Sequence, residues 1–325
     1  MYDNEILEAM EYQMYIAEKE LIENITEIVL EADSAAYQEQ LFTTIKDYLK
    51  KVITGLDNVF KRFVAKIEDK AWKGYYETNK KYLSVDRPIR FSEDPKDTDL
   101  DPKFGAIDQL DNGNNPIDAG SYSSEDYEDE LAFVKSKYPY FSSIEKYSTK
   151  ALKDYAFSQC FEKIQKGREI GGERVAEYVE FMNNFKEKVD QITKDIDTVR
   201  QSANQFERQI DDVKNATPAE EEKPVEAPAN EPQNQETTNQ EAAQIANELV
   251  KIITEAKFTD AEDPEGEHAK SGSNDSEIKK LTKKVTRYYK VTTGVLSAKL
   301  AVYNKAYMTC FSLCNSYAQN AKKYV

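Results

Sequence analysis

The chain has 325 residues, a formal net charge of -16, 39% hydrophobic and 32% charged residues, and a mean hydropathy of -0.76. So much charged surface against so little apolar content favours helices and solvated connections over one large core, with room for two or three domains. The acidic total speaks against a general nucleic-acid binder, no run reaches the roughly 20 apolar residues that span a bilayer, and the start Met1-Tyr2-Asp3-Asn4-Glu5 is wrong for a secretory signal.

Taken in chain order, Leu7, Met10, Met14, Ala17, Leu21, Ile25 and Ile28 step by three and four and predict a helix over residues 3–32. Asp33-Ser34 offers a cap and a break. Leu41, Ile45, Tyr48, Val52, Leu56, Val59, Phe63 and Ile67 then predict a second helix, weakened only at Gly55 by about 1 kcal/mol. The short connection makes the two antiparallel neighbours, an N-terminal helical hairpin over residues 1–91. Trp72-Lys73-Gly74 resembles the Trp-x-Gly turn of small helical-hairpin substrates of type VII secretion, but a Pro88-containing, extended segment over 82–91 follows it.

Residues 92–124 read as an irregular acidic loop docked by Phe104, Ile107 and Leu110. Asp97, Asp99, Asp101 and Asp108 fall on positions one, three, five and twelve of a calcium loop, yet Pro102 replaces the glycine and Asp108 the bidentate glutamate. The loop therefore reads as solvated rather than metal-binding.

A helical region follows over 125–215, with helices near 125–137 and 142–165, the second carrying Ile144, Tyr147, Ala151, Tyr155 and Ile164. Gly167, Gly171 and Gly172 form a hinge that lacks the strand and the Lys-Ser/Thr of a phosphate loop. From Gly172 to Asn215 a long heptad helix is expected. Val175, Met182, Val189, Ile196, Ala203 and Ile210 recur every seven residues, and Tyr178, Phe185, Ile192, Val199, Phe206 and Val213 form the second seam. The bulk of Tyr178, Phe185 and Phe206 favours packing against the chain's own hairpin and last helix over a free rod.

Residues 216–275 read as flexible acidic linkers with one short helix. Pro218, Pro224, Pro228 and Pro232 among Glu, Asn and Gln cannot bury enough apolar surface to order residues 216–240. Ile245, Leu249, Ile252 and Ile253 then share one helical face, and His268, the only histidine, sits in the second linker. The basic C-terminal helix, 276–325, sets ten basic residues against Glu277 alone from residue 277 on, a charge of +9, so the preceding residues carry -25. Lys279, Lys280, Lys283, Lys284, Arg287 and Lys290 are the candidate docking residues for an acidic partner, with their faces exposed once Leu300, Tyr303, Tyr307, Cys310, Cys314 and Tyr317 pack. The alternative is that these cations neutralise the chain's own acidic body.

Cys160, Cys310 and Cys314 are sparse and odd in number, consistent with free thiols in a reducing compartment. Cys310 and Cys314 lie one turn apart with no second pair to complete a zinc site, and so read as core. One linker histidine supplies no imidazole for nucleophilic catalysis. The reading is an all-α, elongated antiparallel helical bundle or coiled coil with disordered linkers, non-enzymatic, with no catalytic, cofactor or metal site. The 21 tyrosines suit partly wet interfaces.

The seam Val175 to Val213, the linker Pro218 to Pro232 and the lysines Lys279 to Lys290 together resemble the design of scaffolding and internal virion structural proteins of tailed bacteriophages. The resemblance implies self-association or capsid-type protein partners, with nucleic acid at the basic helix as an alternative. It implies no membrane, and a place in the virion or the cytoplasm of an infected cell. The hairpin and the tyrosines fit a retained virion part over a transient scaffold. Two other classes stay open: a secreted helical-bundle protein, type VII substrate or toxin-like, and a cytoplasmic coiled-coil adaptor.

Overall fold

A computed structural model describes residues 34–69, 72–90, 100–165, 168–215 and 273–325. The helix expected over 3–32, the acidic residues Asp97 and Asp99, and everything expected of 216–272 lie outside the described residues. The described chain is mostly helical. Its helices are α1 (Ser34–Asp69), α2 (Trp72–Leu83), α3 (Phe104–Asp111), α4 (Glu130–Lys137), α5 (Thr149–Cys160), α6 (Gly172–Asn183), α7 (Phe185–Asn215) and α8 (Ser273–Ala321). Caps set two of the starts: the Asp129 carboxylate accepts from Ala132 N–H at α4, and Ser148 Oγ from Ala151 N–H at α5.

The helical expectation holds in its coarse form, and four short strands add two antiparallel ladders to it. β1 (Ile89–Arg90) pairs with β4 (Glu169–Ile170), and β2 (Leu100–Pro102) with β3 (Phe161–Lys163), Asp101 standing opposite Glu162. The helix expected over 142–165 is shorter for this reason: it ends at Cys160, and the next three residues turn extended to meet β2. The irregular loop likewise contains β2 and α3, whose Ile107 and Leu110 are fully buried.

Long-range contacts fix the directions of the long helices. α1 runs antiparallel to α7, since Lys46 meets Asp211, Asp57 meets Arg200, and Phe63 meets Phe185. α7 in turn runs antiparallel to α8, with Phe206 against Tyr288, Asp195 against Lys299 and Phe185 against Tyr307. α1 and α8 are therefore parallel, as Tyr48 on Tyr289 and the Tyr307 hydroxyl on Ile67 O also require. α2 continues in the direction of α1: Trp72 touches Phe311, Tyr75 reaches Asn315, and Lys322 lies over Tyr82.

The heptad stretch is two helices, not one. It breaks at Asn184, which has φ -94° and ψ 4°. The break lies level with the one between α1 and α2, and Trp72 Nε1 donates to Asn183 Oδ1 across it at 2.8 Å.

α8 has 49 residues, and at about 1.5 Å per residue it is roughly 73 Å long. Residues 291–300 are buried on every side. α1, α2, α5, α6 and α7 all lie against it. Where α5 crosses, Gly294 has no room for a side chain: a β-carbon there would sit 2.9 Å from Tyr147 Oη and 3.2 Å from Leu152 Cδ1. The Tyr147 hydroxyl is held in place by donating to Lys290 O at 2.6 Å.

Candidate functional site

The expected seam lines the interior. Val175, Tyr178, Met182, Phe185, Ile192, Ile196, Val199, Ala203, Phe206 and Ile210 are buried, while Val189 and Val213 are half-buried. What faces them in the same chain is α1 and α8 for the α7 residues, and α2 and α8 for the α6 residues. Many tyrosines also face inward: Tyr138, Tyr178, Tyr288, Tyr289 and Tyr303 are fully buried. Most find a partner for the hydroxyl, as a buried phenol must. Tyr288 Oη donates to Ile117 O at 2.7 Å and lies 2.7 Å from the Ser202 hydroxyl, and Tyr138 Oη lies 3.2 Å from Thr292 Oγ1.

The basic helix departs most from expectation. α8 is the axis of the core, and two of its cations, Arg287 and Lys299, are buried. Arg287 is buried and donates to the carbonyls of Ser124, Tyr127 and Glu128, closing the turn that leads into α4. Lys290 is half-buried, 3.5 Å from the Glu130 carboxylate. Lys284 is half-buried above the Phe206 ring, and burial pulls its pKa below the ordinary lysine value. Lys283 is half-buried, and Lys280 is exposed, 3.6 Å from Glu125. The side chain of Lys279 lies outside the description. An open basic face is thus corrected at Arg287 and Lys290, because Arg287 is buried on backbone carbonyls and Lys290 is half-buried beside Glu130.

Two buried charge clusters escaped the sequence reading. In the first, Lys299 has no exposure at all. Its Nζ donates to Asp195 Oδ2 at 2.7 Å and Asn115 Oδ1 at 3.0 Å, with Asp111 Oδ1 3.8 Å away. Gln191 Nε2 donates to Asp195 Oδ1 at 3.0 Å, and Lys188 bridges Asp111 and Asp108. Burial raises the Asp195 carboxyl above the usual range, against the pull of Lys299 and Gln191. In the second cluster Asp101 is fully buried and accepts from Arg168, from Arg174 Nη2 at 2.9 Å and from Tyr178 Oη at 2.8 Å. Arg174 also donates to Pro102 O. A carboxylate so surrounded is paid in full by charge-assisted bonds, which ties the β2–β3 ladder to α6. The two described calcium-loop residues pair with cations of the chain itself: Asp101 with arginines, Asp108 with Lys188. The only sequence sign was an aspartate beside a seam position, Asp195 before Ile196.

The three cysteines are buried. Burial pushes the Cys160 thiol up to about 11 and Cys314 up to about 12, and raises Cys310 well above the ordinary value with Cys314 adding to it. These thiols lie in the core, and thiolate is the reactive form. Among the described residues no group of three His, Cys, Asp or Glu is placed to hold a metal ion. His268 and Gly167 lie outside the described residues. Trp72-Lys73-Gly74 opens α2 and does not reverse the chain, so the hairpin geometry of the Trp-x-Gly turn is missing here.

Two surface grooves stand out. One, of about 620 Å³, lies between α2 and α6 and is lined by Leu83, Asp86, Glu173, Val179 and Glu180 among others. The second, of about 380 Å³, lies where the end of α7 meets the start of α8, with Val213, Leu281, Lys280 and Lys284 in its wall. Compared with family models, with curated proteins and with solved structures, the chain has no match in any of the three.

Proposed function

We propose that this chain is a non-enzymatic structural and assembly protein, an elongated antiparallel helical bundle that meets its partners through its outer surface. The observation that carries the reading is how the buried charges are spent. Arg287, Lys299, Asp101 and Asp195 are committed to carbonyls, carboxylates and hydroxyls of the same chain. Buried charges used this way fix register and orientation between helices, which is what a strut or spacer needs. A catalytic site instead keeps polar groups converging on a space that a substrate can enter.

The narrower form of the proposal is a virion or scaffold-like component of a tailed bacteriophage, placed in the particle or in the cytoplasm of the infected cell. Protein partners are favoured over nucleic acid, since Arg287, Lys290 and Lys299 already face carbonyls or carboxylates of the same chain and leave few α8 cations to meet phosphates. No helix among the described residues is long and apolar enough to cross a membrane. The test is quantitative mass spectrometry of purified particles and of their precursors. A fixed copy number in either supports the reading, and absence from both ends it.

A further inference from the structure

The larger groove runs between two helices that pack antiparallel. Trp72 at the start of α2 bonds to Asn183 at the end of α6. At the other end, a β-carbon on Gly172 would sit 3.1 Å from Asp86 Oδ1, just past the end of α2. The lining spans the whole of α6, whose 12 residues make about 18 Å, so the groove has the length of a third helix of about three turns. Its floor is Tyr76 and Leu83 on α2, one heptad apart, with Gly172, Ala176 and Val179 on α6 at steps of four and three. Ala176 is exposed, and Tyr76 and Val179 are half-buried. This is apolar surface left open, and the short side chains of Gly172 and Ala176 let a third backbone come close.

The charge along the groove has one sign. Asp86, Glu173 and Glu180 line it and are exposed, no lysine or arginine does so, and none of the three carboxylates is paired with a cation among the described residues. Glu173 and Glu180 stand one heptad apart on α6 and repeat the charge along the groove. Lysine and arginine suit such a wall, because their stems lie on apolar surface while their heads reach carboxylates. The chain has little of its own to put there. Residues 1–33, 91–99 and 216–272 are each net acidic in sequence, and Arg287 and Lys299 of the basic helix are buried.

We infer that the groove between α2 and α6 binds a basic amphipathic helix of another protein. The helix lays a narrow apolar stripe on Tyr76, Leu83, Ala176 and Val179, and sets cations against Glu173, Glu180 and Asp86. This rests on the reading of the chain as a protein that meets its partners through its outer surface. Copy number in particles tests that reading and binding at this groove tests the inference, so either can fail alone.

The probe is a fluorescently labelled, four-turn peptide with a leucine and alanine stripe flanked by lysines, titrated with the full chain and followed by anisotropy. Binding should saturate. It should also shift the emission of Trp72, the only tryptophan, which packs on Tyr76 and bonds to Asn183 at the end of the groove. Glu173→Lys with Glu180→Lys should weaken binding about tenfold or more, and should favour the same peptide carrying glutamates for lysines. Glu173→Gln with Glu180→Gln, which disturbs the helix less, should lose affinity in the same direction. Glu145→Lys with Asp154→Lys makes the same change in net charge at exposed positions outside the groove, and should stay within about twofold of the parent. Replacing the peptide's leucines by serine should cost about tenfold, as the floor loses its contact. Equal losses in the two lysine variants would reduce the binding to attraction by an acidic chain and overturn the inference. So would a serine peptide that binds as well, Trp72 emission that does not move, or an oligomer of the parent that Glu173→Lys with Glu180→Lys dissociates, which would give the groove to a second copy.

Discussion

At Lys299 an ammonium with no solvent exposure is held between α7 and the loop after α3. Its two nearest acceptors, Asp195 Oδ2 and Asn115 Oδ1, come from different elements. Removing one member of such a pair leaves a buried charge uncompensated, whereas replacing both with apolar groups of similar size is close to neutral. Lys299→Met alone should therefore cost about 3–5 kcal/mol of unfolding free energy in urea, and Lys299→Met with Asp195→Leu should recover most of it. Equal losses in the single and double variants would show that the two residues do not act as a unit. The thiols permit a second test at this scale. With Cys160 raised to about 11, roughly one molecule in a thousand carries its thiolate at pH 8. Cys314 is raised further still. The folded chain should resist a thiol-specific disulfide reagent, and all three cysteines should react once it is unfolded in guanidinium. Rapid labelling of the native chain would contradict their burial.

Among the elements, α5 and α8 meet at a crossing that only Gly294 permits. Gly294→Ala adds a methyl group 2.9 Å from a hydroxyl already fixed on Lys290 O. Overpacking of that kind costs about 1–3 kcal/mol, partly offset by the roughly 1 kcal/mol that alanine gains over glycine within a helix. The net loss should appear as a lower thermal midpoint, and Tyr147→Phe should make the Gly294→Ala change milder by removing the obstructing oxygen. A higher midpoint in Gly294→Ala would show that the crossing is looser. The same contact explains an element that the sequence describes poorly. The apolar stripe of α8 shifts phase near Thr292 to Leu296 because several neighbours cover the helix there, and Thr292, Thr293, Ser297 and Lys299 are buried alongside its apolar residues. Counting lysines reads charge but not enclosure, so the sequence left open whether this helix docks an acidic partner or neutralises the chain's own acidic body. The stripes of α1 and α7 were legible because each buries one face at a constant period. The break at Asn184 was not, since Met182 and Phe185 keep their spacing across it and the Trp72–Asn183 bond beside it joins residues about a hundred apart in sequence. β2 and β3, at three residues each, are too short for any alternation to register.

For the molecule as a whole, the decisive matter is whether the seam from Val175 to Val213 is filled by this chain or by a second one. Its inner residues already have partners: Phe206 packs on Tyr288 and Tyr289, Phe185 on Phe63 and Tyr307. A seam closed within one chain makes stability a property of the monomer. A seam shared between chains couples unfolding to concentration by mass action. Phe206→Ala should then cost about 3–5 kcal/mol, the usual loss for a buried phenylalanine. The urea midpoint of both the parent and the variant should stay fixed across a hundredfold range of protein concentration. Light scattering should return the same particle mass for both, whatever that mass is, because on the proposed reading any association uses the outer surface and not the seam. If the variant falls to a smaller particle, or if either midpoint climbs with concentration, the seam is an interface between copies. Truncation cannot serve as the test, since a chain cut before α8 loses the axis against which α1, α2, α5, α6 and α7 pack, and it should lose its cooperative thermal transition together with any assembly.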